Sequence, residues 1–303
     1  LLLSIALPGL ALGQNGPGRL AEQTIDPVSN LMQIAFFNDV DLEVGEAREN
    51  DLRLTVQPQL PLRLVEGLNV IVWSVLSFRS APPPGPEDDR LNGIGDTVVR
   101  LLLAPSSSSP WRWGLGPAAL VPTATRNALG STAFGLGGAG IVRYQGGPWT
   151  GGLLVQHLSS VREAVGRPQV HRSAIRPFFA FTTPSGVSLG LDSETVVDWE
   201  SPKKDRWLVP IQPTVGQVAR VGGQQVNLQI GGRYYAASPA GGPTWGLRLL
   251  VTLLFPVEPG PPEGGVARTE NPNGRRRYRW SPADEPRAGS AGSNSVRTDG
   301  SRL

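Results

Sequence analysis

Cysteine is missing from the 303-residue chain, which excludes a disulfide framework and thiolate metal sites. Histidine is scarce, with two residues in all, His157 and His171. No run reaches the roughly 18 consecutive apolar residues that a membrane-spanning helix needs, so a helical span is excluded. A membrane β-barrel is not, because its alternating strands give only a weak hydropathy signal. Charged residues make up 17% and the net charge is +3, with much of the basicity in residues 257–303. No nucleic-acid partner is implied by so small a balance. Abundant instead are glycine (38) and proline (29), which suit many strands joined by turns.

The start, "LLLSIALPGLALGQNG", has an apolar run ending in the small-residue pattern Ala11-Leu12-Gly13. Residues 1–13 resemble the apolar part and cleavage site of a secretory signal peptide. Residues 14–29 then read as an N-terminal periplasmic segment or plug.

From about residue 30 to 256 the chain reads as a series of strands. In "DLRLTVQPQLPLRL", Leu52, Leu54, Val56, Leu60 and Leu62 alternate with Arg53, Thr55, Gln57, Gln59 and Arg63. Period two is sustained here for about twice the usual strand length, enough to cross a bilayer with tilt. The last such stretch, "WGLRLLVTLLF", puts Leu247, Leu249, Val251, Leu253 and Phe255 on one face and Arg248 on the other. Short joints fall near 64–67, 105–110, 145–148, 183–186 and 219–225. Longer ones fall near 43–50, 79–93, 123–130, 160–170, 200–205 and 238–243. Short periplasmic turns alternating with longer external loops are the mark of outer-membrane barrels. The fold class expected is therefore all-β: a closed antiparallel transmembrane barrel of about twelve strands. Trp111, Trp113 and Trp149 at the short-turn side, and Trp207 and Trp245 at the long-loop side, supply two aromatic girdles. Pro58, Pro117, Pro177, Pro210 and Pro213 fall inside strands, where each removes a ladder hydrogen bond, so bulges or breaks are expected there.

Alternation assigns Arg53, Gln57, Asp96, Arg100, Arg112, Arg143, Arg176, Asp192, Glu194, Asp198, Arg233 and Arg248 to the lumen face. With the hairpin centred near Ser185, residues whose numbers sum to about 370 face each other, which sets Arg176 opposite Glu194 as an ion pair. Arg233 and Arg248 lie close together on the last hairpin and need an acid or a bound anion between them. Lone arginines on the lipid face near midplane would cost about 2–4 kcal/mol each, so they belong inside.

Three motifs suggest other chemistry. "GLGGAG" (Gly135–Gly140) fits a dinucleotide fingerprint but lies within a strand with no helix after it. His157 and Ser159 share one face of one strand, as a base and a nucleophile would. The next strand, "HRSAIRPFFAFTT", offers no Asn or Asp to orient the histidine, so an external-rim histidine is the favoured reading. A metal held by His157 and His171 lacks nearby carboxylates. Residues 257–303 are rich in Pro, Gly, Ser and Arg without hydrophobic periodicity, and read as a disordered periplasmic tail.

Four segments carry a resemblance: "GIGDTVVRLLLAP" (93–105), "WGLGPAALVPTAT" (113–125), "GGPWTGGLLVQH" (146–157) and residues 221–256. In order and spacing they resemble the outer-membrane β-barrel family of MetA-pathway phenol-degradation transporters, over about residues 30–256. The long stretch after Phe255 departs from that family, whose barrels end near a terminal aromatic. The resemblance implies passive passage or binding of small molecules, aromatic or hydrophobic ones among them, through an arginine-rich lumen. It implies no cofactor, no metal and no enzyme activity. The partners expected are outer-membrane lipid, a small solute and the barrel assembly machinery, in the outer membrane of a Gram-negative-type bacterium. A structural or adhesion barrel without transport is the alternative, and a membrane-embedded hydrolase a more distant one.

Overall fold

The structure, a computed structural model, describes residues 16–45, 48–83, 89–106, 109–131, 133–161 and 169–255. The expected signal segment and the expected tail lie outside them. A short helix, α1 (Pro17–Ile25), precedes strands β1 (Met32–Val44), β2 (Glu49–Val65), β3 (Leu68–Ala81), β4 (Leu91–Ile94), β5 (Thr97–Pro105), β6 (Trp111–Val121) and β7 (Gly135–Gly146). The remaining strands are β8 (Trp149–Ser160), β9 (His171–Thr182), β10 (Val187–Asp192), β11 (Thr195–Asp198), β12 (Trp207–Val221), β13 (Gln224–Ala237) and β14 (Trp245–Phe255).

Neighbours along the chain pair antiparallel, and β1 returns to pair with β14, Met32 opposite Phe255 and Leu42 opposite Trp245. β4 and β5 both pair with β3 and form one strand interrupted at Gly95–Asp96. β10 and β11 both lie between β9 and β12, interrupted at Ser193–Glu194. The fourteen segments therefore make a closed barrel of twelve strands. Closure matters because it leaves no strand edge with unpaired backbone groups inside a membrane.

The sheet is apolar outside, and its buried polar and charged side chains all point inward beside an apolar cluster. On β14, Arg248 is 4% exposed and its neighbour Leu249 49%. Leu101, Leu103, Leu153, Val155 and Leu247 are exposed on the outer face, as are the girdle residues Trp111, Trp113, Trp149, Trp207 and Trp245. No helix among the described residues is long and apolar enough to cross a membrane.

The in-strand prolines act through their missing N–H. Pro177 faces Ser193, and Ser193 donates to the Pro177 carbonyl at 3.1 Å with nothing to accept in return. That is where β10 ends and β11 begins. Pro210 sits at a register shift between β12 and β13. Pro58, Pro117 and Pro213 each fall in a gap of one neighbouring ladder while the register resumes unchanged beyond it. A closed barrel thus accommodates proline by skipping two pairs of one ladder or by shifting register.

Candidate functional site: the lumen and its turn-side end

Closure brings β1 beside β14, and with it two aspartates from "NDVDLEV" that face inward. Asp39 lies opposite Arg248 in register and accepts from it twice, Nε to Oδ1 at 2.6 Å and Nη2 to Oδ2 at 2.9 Å. Arg233 reaches the same carboxylate at 2.5 Å and Asp41 at 3.6 Å. Tyr235 donates its hydroxyl to Asp41 at 2.7 Å. Arg248 continues to Glu194 at 3.0 Å and to the amide oxygen of Gln212. Glu194, in turn, holds Arg176 at 2.6 Å, the pair that the register arithmetic expects. The sequence Asp41–Arg233–Asp39–Arg248–Glu194–Arg176 is a belt of alternating sign that runs across the lumen from β1 to β9. A lone guanidinium buried in the barrel would cost several kcal/mol, and alternation answers that cost.

Arg233 and Arg248 therefore do have an acid between them. Asp39 and Asp41 escaped the sequence reading although alternation along β1 marks both as inward-facing. What was lacking was the β1–β14 register, which only closure supplies. Gln212 was missed because Pro210 and Pro213 obscure the period of β12.

The other candidate residues divide by depth. Gln57 accepts from the indole N–H of Trp73 at 3.2 Å, and the guanidinium of Arg100 lies 4.8 Å over that ring. Arg100 also donates to Gln156; among the described residues no carboxylate lies within ion-pair distance of it. Asp192 lines the central cavity beside Arg176. Arg53 lies opposite Asp39 of the belt in register, whereas Asp96, Arg112, Arg143 and Asp198 sit away from it. Arg53 leans on Asp51 at 3.6 Å, a carboxylate held more closely by Arg79. Asp96, at the β4–β5 break, accepts from the backbone of Ala124 and from the backbone and hydroxyl of Ser131, so it anchors an external loop. Arg143 is ion-paired with Asp26 of the N-terminal segment, and Arg112 lies 3.7 Å from the same carboxylate. At the loop end, Asp198 is bonded to Arg172 at 2.8 Å.

Asp26 belongs to the segment that docks against the turn-side end of the barrel. Pro17 starts α1 where its absent N–H is no loss. Leu20 and Ala21 are fully buried with Leu31, Val218 and Leu254. Gly18 N–H donates to the Pro184 carbonyl at 3.2 Å, and a Cβ at residue 18 would come within 2.8 Å of the Thr183 oxygen. Only glycine lets the helix meet the β9–β10 turn so closely. Gln145 donates to Glu22 at 2.6 Å. Between this segment and the belt is a cavity of about 160 Å³, lined among others by Thr24, Ile25, Phe37, Trp73, Arg176 and Asp192.

His157 and His171 stand on the outer surface, ring centroids 5.1 Å apart. No group of three or more possible metal ligands occurs among the described residues.

No protein-family model matches the chain, and no curated protein does. Solved structures do. An outer-membrane channel from Pseudomonas putida F1 superposes with a TM-score of 0.58 at 14% identity, covering 82% of this chain and 100% of that one. Outer membrane phospholipase A from Escherichia coli gives a TM-score of 0.42 at 10% identity, covering 75% and 90%. At such identity the first likeness is one of fold: this chain has the closed twelve-strand barrel architecture of an outer-membrane channel.

Proposed function

We propose that the chain is an outer-membrane channel that passively passes small solutes, and that residues 16–29 act as its turn-side plug. The observation that carries this reading is the cavity between Thr24–Ile25 and the belt residue Arg176, with Asp192 beside it. A solute arriving from the loop side meets the belt first, then this chamber, then the docked helix.

The belt sets selectivity. Its charges nearly cancel, so it does not repel either sign strongly, and it screens by size and by the capacity to replace hydrogen bonds. Arg100, a cation with Trp73 beneath it, tips the field towards anions. Phe37, Trp73 and Phe178 line the chamber beside Gln57, Gln59 and Arg176. Flat apolar surfaces next to fixed polar groups suit a small ring compound bearing a carboxylate or hydroxyl. No bond is made or broken in passage, and no cofactor takes part.

The test is planar-bilayer conductance together with liposome flux of benzoate, phenol and a neutral sugar of similar size. The wild type should conduct in small steps, pass the ring compounds faster than the sugar, and show larger steps when residues 16–29 are deleted. Arg176→Ala should lower anion preference. Absence of conductance and flux in both forms would turn the reading to a structural or adhesion barrel.

A further inference from the structure

Strand β8 carries a polar cluster on the lipid side of the wall, where the channel reading has no use for it. Leu154, Gln156 and Leu158 are buried inside, so His157 and Ser159 point out, on the loop side of the exposed Leu153 and Val155 of the same face. Ser159 Oγ lies 3.2 Å from His157 Nε2, and His157 Nδ1 lies 2.9 Å from Ser173 Oγ on β9, its direct partner in register. The indole N–H of Trp199 donates to the same Ser173 oxygen at 2.9 Å. That oxygen has two lone pairs, enough to accept both the Trp199 indole N–H and a His157 Nδ1–H. In the tautomer with Nδ1 protonated, the Nε2 lone pair faces the Ser159 hydroxyl, as a general base requires. Ser173 thus fills the orienting place for which the strand "HRSAIRPFFAFTT" offered no Asn or Asp.

The surroundings hold this geometry. His171 meets the His157 ring edge-on, and its Nδ1 lies 3.6 Å from Glu200. The backbone N–H of Trp199 donates to the His171 carbonyl at 2.8 Å, and Arg206 lies 5.5 Å over the Trp199 ring. A Cβ at Gly137 would fall 1.8 Å from the His157 carbonyl oxygen, so only glycine lets β7 lie this close to the strand that carries the pair.

Depth defines the substrate. From Trp149 in the turn-side girdle to His157 is about 26 Å of strand, or roughly 20 Å of height at a tilt near 40°. That places the pair at the outer edge of an apolar band about 25 Å tall, where the ester carbonyls of outer-leaflet lipids lie.

We propose that Ser159, His157 and Ser173 form a lipid-facing hydrolytic site for long-chain acyl esters, with the acyl chain lying along Val155 and Leu153. Ser159 Oγ attacks the ester carbonyl carbon while His157 Nε2 takes the hydroxyl proton. The carbon–oxygen bond to the alcohol breaks, and the alcohol leaves with that proton. Water then attacks the acyl-serine with the same base, releasing the fatty acid and restoring Ser159. His157 is the base, Ser159 the nucleophile and Ser173 a positioning residue. The site is on the opposite side of the wall from the lumen, so it does not depend on the channel reading.

The experiment uses the full chain in detergent micelles, with the boiled-versus-unboiled gel shift confirming a folded barrel for every variant. Hexadecylsulfonyl fluoride is the covalent probe, p-nitrophenyl palmitate in mixed micelles the lipid-phase ester, and p-nitrophenyl acetate the ester dissolved in water. The expected result is a sulfonyl adduct on Ser159 and turnover of the palmitate. Ser159→Ala should lose both, and His157→Gln should lower turnover by about 10²–10⁴-fold. Ser173→Ala should lower it by about tenfold and alter its pH profile, and Ser173→Thr should restore both. Turnover surviving in folded Ser159→Ala, or no adduct and no turnover in the wild type, would overturn the site. Hydrolysis of the acetate alone would overturn its assignment to membrane lipid.

Discussion

Inside the barrel, the wall from β3 to β8 and the wall from β12 round to β2 carry different chemistry. The first is lined mainly by Ile71, Leu102, Ala118, Ile141 and Leu154, which pack with Val28 of the N-terminal segment around the buried Arg100, Arg143 and Gln156. The second presents Gln212, Asn227, Arg233, Arg248, Thr252 and Asp39, all buried. On that side Gln212 Nε2, both polar atoms of the Asn227 amide, Thr252 Oγ1, Gln33 Oε1 and Gln59 Nε2 have no hydrogen-bond partner in the protein. Each such atom costs roughly 1–3 kcal/mol unless water or solute meets it. The first half is mostly filled by apolar packing, with orphaned polar atoms of its own on Arg100, Arg143 and Thr150, whereas the second holds most of the buried polar atoms that water would satisfy. The comparison teaches that a twelve-strand barrel need not be a uniform tube. In the channel reading proposed above, a solute would pass along the polar side of a partly packed core.

Substitutions separate the two halves. The largest effect falls on the belt. Asp39→Ala leaves Arg233 without its nearest acid and takes the bidentate partner from Arg248, and should cost about 3–5 kcal/mol in urea unfolding from vesicles while disturbing conductance. Leu102→Ala, on the packed half, should cost about 2–5 kcal/mol and leave ion selectivity unchanged. Asn227→Val should be neutral or stabilise by up to about 1 kcal/mol, because an orphaned amide is removed, yet it should reduce conductance by drying the path. Arg172→Ala breaks only an exposed pair with Asp198 at the loop end and should change stability by less than about 1 kcal/mol, with conductance intact. If Leu102→Ala altered selectivity as much as Asp39→Ala, the two-sided description would fail.

Much of this architecture was legible in the chain. Alternation in "DLRLTVQPQLPLRL" and "WGLRLLVTLLF" gave the faces of β2 and β14, and the alternating joints gave the strand order and the two ends. Arg176–Glu194 followed from one hairpin centre, since both partners lie close in sequence on either side of it. What escaped detection depends on distant pairing. The acids for Arg233 and Arg248 come from β1, over 190 residues earlier, and become neighbours only on closure. Asp96 reads as a lumen acid by period, but the β4–β5 break gives its carboxylate to an external loop. Arg143 alternates inward as expected, and nothing local shows that Asp26 will meet it. The division of the lumen was likewise hidden, because alternation tells inside from outside but not which inward residues face a packed neighbour.

The absence of cysteine makes the central claim directly measurable. Single cysteines at Asn227 and Thr252 on one half, and at Ala118 and Ala139 on the other, can be tested in membranes with a small water-soluble thiol reagent followed by mass spectrometry. The account predicts modification at 227 and 252, faster still when residues 16–29 are deleted, and protection at 118 and 139. Equal labelling of all four positions, or labelling confined to 118 and 139, would contradict it.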